Sequence, residues 1–287
     1  MTRDEWRQTI RGTLIHEAKH LAMFAEFFAD DAATTLEESW LEEGMAMHAE
    51  ELYSRTITGA TWKGNTGYGA GQSNHIWCEV RAGNSNFPQC ADRPYVMTSH
   101  FAFLAQYLGD IENRTIAGGL PGNSGDGSFY GSSWAFVRWM VDAYAASESA
   151  VLKDITLEGT LTGAANLSAR SGVPYETMMS QFHYALQYDD VAGVTPTAPW
   201  QHISSWSIAG IYGGFNVDFP QSFPADYLKD HGVTFGTFAV IINTLRGGTA
   251  AHVEITGAQS AKQLLSLQAQ NGGAPPPELR MTVFRVQ

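Results

Sequence analysis

Positive charge is scarce in this 287-residue chain: 17 Lys and Arg stand against 29 Asp and Glu, a formal net charge of −12. Neutralising a phosphate backbone takes a surplus of basic side chains on at least one face, so the balance argues against a nucleic-acid partner. Charged residues of both signs make up only 16% of the chain and hydrophobic ones 44%, which excludes a disordered composition. No run of 18 or more apolar residues occurs, so no membrane-spanning helix is expected. Residues 1–15, MTRDEWRQTIRGTLI, lack the basic, apolar and small-residue blocks of a secretory leader and already read as helix. That fits a cytosolic protein or a piece of a longer one. Cysteine is nearly absent: Cys78 and Cys90 are too few for a thiolate zinc cluster. They bracket a polar segment with little apolar periodicity, and a pair closing such a loop suits a disulfide in an oxidising compartment, secreted or periplasmic.

Where apolar side chains recur, the period is mostly helical. Trp6, Ile10, Leu14, Ala18, Leu21, Ala25 and Phe28 form a stripe that predicts a helix over 4–29. Thr35 and Glu38 have capping-box spacing and predict a second helix from Thr35 to about Tyr53 or Ser54. Residues 58–93, rich in Gly, Asn and Trp, read as a long loop. Further helices are expected over 94–108, around Trp134, Val137, Val141 and Tyr144, and near 161–171 and 174–188. Residues 191–200, VAGVTPTAPW, read as a linker. Beyond them the pattern alternates: His252–Thr256 and Leu279–Val283 read as strands, with Gly247-Gly248 and Asn271-Gly272-Gly273 as turns. The expected fold is α+β, with a mainly helical region over 1–190 and a small all-β, sandwich-like domain over 196–287.

The first helix carries His16-Glu17-Ala18-Lys19-His20. Two histidines four positions apart lie one turn apart on one helix face, so both imidazoles can reach a single ion. Neutral imidazoles hold Zn2+ without quenching its Lewis acidity, and a carboxylate beside them, Glu17, can take a proton from a water. The same pattern also arises from two solvated histidines on an amphipathic helix. The second helix narrows the choice with Glu42-Glu43-Gly44-Met45-Ala46. A short connection packs the two helices antiparallel, which brings mid-helix Glu43 opposite His16 and His20. Gly44, unfavourable inside a helix, fits a position where another helix or a ligand comes close. Glu50, two turns beyond Glu43, shares its face and can accept the second ring N–H of a metal-bound histidine. His48 points elsewhere.

These two segments resemble the gluzincin clan of zinc metallopeptidases, nearest to its bacterial hyicolysin-like and aminopeptidase-like branches. The resemblance is specific over about 14–52 and looser over 126–188. It implies a Zn2+ ion on His16, His20 and Glu43, with Glu17 as general base in peptide-bond hydrolysis and a protein or peptide as substrate. It also implies an oxyanion donor further along, for which Tyr130, at the start of a helix, is the matching position. His75 and His100 are secondary candidates, and Tyr130 reads equally well as a side chain packing at a helix entry. Glu42 stands where Asn is common in the clan, and only 15 residues precede His16, where the clan has a β-sheet. Two other readings fit the same residues: an aminopeptidase of the clan, or a non-catalytic binding protein that keeps a relic zinc helix.

Overall fold

The computed structural model describes residues 3–30, 33–68, 78, 86, 96–117, 127–188, 197–202, 204–218, 230–234, 245, 247–256, 266, 268–269, 271–277 and 279–283. Among them are eight helices: α1 (Arg3–Ala29), α2 (Ser39–Thr58), α3 (Val96–Leu108), α4 (Ser128–Tyr144), α5 (Glu148–Thr156), α6 (Gly163–Ser171), α7 (Tyr175–Tyr188) and α8 (Ile208–Asp218). No helix is long and apolar enough to cross a membrane.

The expected all-β domain is not found among the described residues, and the α+β assignment is corrected to a mainly helical fold. Residues 208–218 are helix, and Leu279–Val283 is irregular rather than a strand. The strand expected at His252–Thr256 is present, but it pairs in parallel with Asp230–Thr234, and these two five-residue strands form a two-stranded sheet. A parallel pair cannot be a hairpin, so it lacks the simplest unit of an antiparallel sandwich. Alternation and turn residues report a local strand but not its partner. Residues 204–215 also belong to the helical body: Trp206 and Tyr212 are buried, and the Tyr212 hydroxyl donates to the Phe101 carbonyl at 2.8 Å.

Helix α4 runs through the centre of the core. Trp134, Phe136, Val137, Trp139 and Val141 are all fully buried, so α4 is covered on all sides, as expected of a helix apolar around its circumference. Its close neighbours are α2 and α3. A Cβ on Gly44 would lie 3.0 Å from the Ser133 carbonyl carbon, and one on Gly131 would lie 2.2 Å from the Leu104 nitrogen. The expected close approach at Gly44 is therefore one of helix on helix. A buried polar network ties the far end of α2 to this core. The Glu51 carboxylate accepts from the indoles of Trp134 at 2.8 Å and Trp206 at 3.0 Å, and from Arg138 at 3.3 Å. Burial pushes Glu51 up, but Arg138, His48 and Arg55, with the Trp134 hydrogen bond, outweigh it and hold the carboxylate near 2. His48, buried beside it, lies 3.4 Å from Glu51.

Two features of α1 and α2 differ from expectation. Helix α2 begins at Ser39 rather than Thr35, and Glu38 at its N-cap makes no side-chain cap bond. Glu37 instead accepts from the Glu38 and Gly163 backbone N–H groups, so a tertiary contact to α6 replaces the capping box. Helix α1 keeps its expected span, but its apolar stripe faces outward. Trp6 is 53% exposed, Leu14 62%, Leu21 69% and Phe28 81%. The face set against α2 holds Gly12, Lys19 and Met23, all buried, with His16 and His20 half-buried between them.

Cys78 is fully buried, and Cys90 lies outside the described residues. The described residues therefore hold no pair of cysteines at disulfide distance. The expected secreted or periplasmic location, which rested on that pair, is withdrawn.

Candidate metal centre

Helices α1 and α2 run antiparallel, and their register is visible in the side chains that meet: His16 contacts Glu50, and His20 contacts Glu42. Between these contacts lies Glu43. Its Oε2 is 3.1 Å from His16 Nε2 and 3.6 Å from His20 Nε2. The two imidazoles meet edge to face with ring centroids 4.9 Å apart. One ligand atom from each of the three residues falls within 4.8 Å of the others. All three side chains are between 15% and 19% exposed, so the centre opens to solvent along the helix seam. A small cleft lined by Met23, Glu37, Glu42, Met45 and Ile155 lies beside it and includes neither imidazole.

The second ring nitrogens are also held. His16 Nδ1 donates to Glu50 Oε1 at 2.8 Å, and His20 Nδ1 donates to Glu42 Oε1 at 2.8 Å. Metal-ligating histidines typically present one nitrogen to the ion while a carboxylate fixes the ring through the other, and both rings here have that arrangement. Glu50 was expected in this role. Glu42 was not: sequence reading placed it only where the gluzincin pattern has Asn. Its other oxygen pairs with the Lys19 ammonium, a buried contact that spacing did not disclose.

The charges of the cluster reinforce one another. Burial would lower the His16 pKa, but hydrogen bonds to Glu43 and Glu50 outweigh it and raise the ring to about 9. His20 is raised to about 9 by its hydrogen bonds to Glu42 and Glu43, against burial. Burial pushes Glu43 up, and the two imidazoles more than reverse this, holding it near 2.

The donor set fits a zinc ion. Zn2+ takes imidazole nitrogen and carboxylate oxygen at roughly 2.0–2.2 Å, so adjacent corners of a tetrahedron lie roughly 3.3 Å apart. The separations of 3.1 and 3.6 Å bracket that value. Three such ligands on a tetrahedral ion would leave its fourth corner for water.

Glu17 follows His16 on α1, about 100° further round the helix, and is exposed. Tyr130, in the first turn of α4, stands over the same site with its ring centroid 6.5 Å from that of His16. Burial raises its pKa, with the charges of Glu43 and Glu17 adding to the effect. It also packs on Phe103 and Phe129. His100 does not take part: it is fully buried, hydrogen-bonds the Met47 carbonyl at 2.8 Å and lies edge-on to Trp134. His75 lies outside the described residues.

No family model, curated protein or solved structure matches the chain.

Proposed function

We propose that the chain is a zinc-dependent peptidase whose ion is held by His16, His20 and Glu43. The main support is the double orientation of the imidazoles: each turns Nε2 toward one Glu43 oxygen, and each Nδ1 is held by a separate carboxylate. When bound there, Zn2+ supplies a Lewis acid that polarises a carbonyl and lowers the pKa of water toward neutrality.

The chain's own groups carry the rest of the chemistry. Glu17 accepts a proton from the attacking water as its oxygen bonds to the scissile carbon. It then delivers that proton to the amide nitrogen as the C–N bond breaks. The Tyr130 hydroxyl, which stays protonated at neutral pH as an ordinary phenol does, donates to the developing oxyanion. Glu50 and Glu42 keep the two rings aimed.

The reading is tested with zinc-loaded wild type and Glu17→Gln, assayed on casein and on aminoacyl anilides. Wild type is expected to cleave casein. Glu17→Gln is expected to keep its zinc and lose cleavage by at least about 10²-fold, the scale of a positioned base. Anilide turnover without casein turnover would assign an aminopeptidase. Zinc-bound wild type inert to both would favour a binding protein.

A further inference from the structure

We propose that Lys19 is a positioning residue of the metal centre, acting on His20 through Glu42. The inference rests on the zinc reading above and concerns a side chain to which that reading gives no role.

Lys19 lies on the inner face of α1 and is 9% exposed. Its ammonium pairs with Oε2 of Glu42, while Oε1 of the same carboxylate accepts Nδ1–H of His20 at 2.8 Å. Lys19 and His20 are neighbours on α1, so their side chains diverge by about 100° around the helix axis. A carboxylate from α2 that reaches between them has one donor on each oxygen and a single orientation that satisfies both. Glu42 is itself buried, where an unpaired carboxylate is strongly disfavoured and would turn toward solvent or toward the nearest cation. The ammonium prevents this: it balances the charge of Glu42 and pins the carboxylate where it fixes the His20 ring. With that ring fixed, Nε2 faces the Glu43 oxygen.

This role differs from two simpler ones. If the pair serves only to join α1 to α2, its loss lowers thermal stability and leaves metal affinity alone. If Lys19 acts only as a nearby positive charge, its removal strengthens cation binding. A positioning role predicts weaker binding, because a histidine with an unfixed partner is a poorer ligand.

The experiment compares wild type, Lys19→Met, Lys19→Arg and Glu42→Gln. Zn2+ affinity is read by competition with a chromogenic chelator, ligand geometry by the visible spectrum of the Co2+-loaded protein, and metal-free stability by thermal unfolding. Lys19→Met and Glu42→Gln are expected to weaken Zn2+ binding by about 10–100-fold and to alter the cobalt spectrum. Lys19→Arg, which keeps a cation on Glu42, is expected to restore affinity to within a few-fold of wild type. Should Lys19→Met not fold, Glu42→Gln carries the comparison alone, since its amide oxygen can still accept from His20 but cannot balance the ammonium. Unchanged or stronger zinc binding in the folded variants, with wild type binding zinc, overturns the positioning role only. Wild type that binds no zinc overturns the metal reading itself.

Discussion

At the scale of single residues, the metal-free centre is a cluster of two imidazoles and three carboxylates, and its charges give stability a definite pH dependence. A histidine raised in the folded state contributes stability in full below its unfolded value near 6.5 and loses it as pH rises through about 9. Glu43, held near 2, contributes above its unfolded value near 4.5 and loses it as pH falls through about 2. The cluster therefore favours the metal-free fold most between about pH 4.5 and 6.5. Thermal unfolding of chelator-treated protein should show the melting temperature falling from pH 6.5 to 9, with a shallower fall in the double variant His16→Ala/His20→Ala. A wild-type melting temperature that is flat or rising across that window contradicts the geometry. The individual residues were also the most legible part of the sequence. Residue type and helical pitch alone were enough to expect that two imidazoles at four-residue spacing on α1 meet a carboxylate of the next helix, and these side chains do meet. The Glu42–His20 contact was not legible, because Glu42 and Glu43 are adjacent and only the register between α1 and α2 decides which imidazole each one meets. Lys19 was missed for the same reason: in the sequence it reads as a solvated charge between two histidines.

At the scale of elements, α1 shows what periodicity conveys and what it omits. The spacing of Ile10, Leu14, Leu21 and Phe28 specified a helix of almost the observed length, yet the face set against α2 is polar and carries the site. Apolar period reports that a face exists and not what it meets. Substitution separates the two faces. Leu21→Glu removes a side chain that is 69% exposed and should change unfolding free energy by no more than about 0.5 kcal/mol. Met23→Ala, two residues on and 7% exposed, should lose about 2–5 kcal/mol. Chemical denaturation of both variants checks this, and a Leu21→Glu loss as large as that of Met23→Ala would mean that the stripe is covered in solution. Two helices had no clear signature. Helix α5 has nine residues, and its Ser147 N-cap side chain accepts from the Ala150 N–H. Helix α8, IAGIYGGFNVD, contains three glycines that lower helix propensity. Its side chains Ile211, Tyr212 and Phe215 are buried against the helical core, and tertiary packing overrides that propensity.

At the scale of the whole molecule, one core carries the site on its rim. Helix α4 threads the centre, α2 lies against it through Gly44, and α1 lies on α2 with the His16–His20–Glu43 cluster in the seam between them. The Glu51 network anchors α2 from behind, and truncating one partner of such a buried pair typically costs about 3–5 kcal/mol. The position of α2 is thereby fixed independently of the metal, as a preformed site requires. The meeting of His16, His20 and Glu43 was readable from the sequence, but the C-terminal architecture was not, because pairing between strands 230–234 and 252–256 depends on long-range contacts that no local pattern encodes.

The most direct test of the account is the zinc content and affinity of the purified chain, compared with that of Glu43→Ala. The account predicts one tightly held zinc per chain in wild type, which at 100 times its Kd stabilises the fold by about 2.7 kcal/mol. It predicts loss of most of that affinity in Glu43→Ala, with the metal-free variant still folded. Wild type that retains no zinc, or Glu43→Ala that binds it as tightly as wild type, would contradict it.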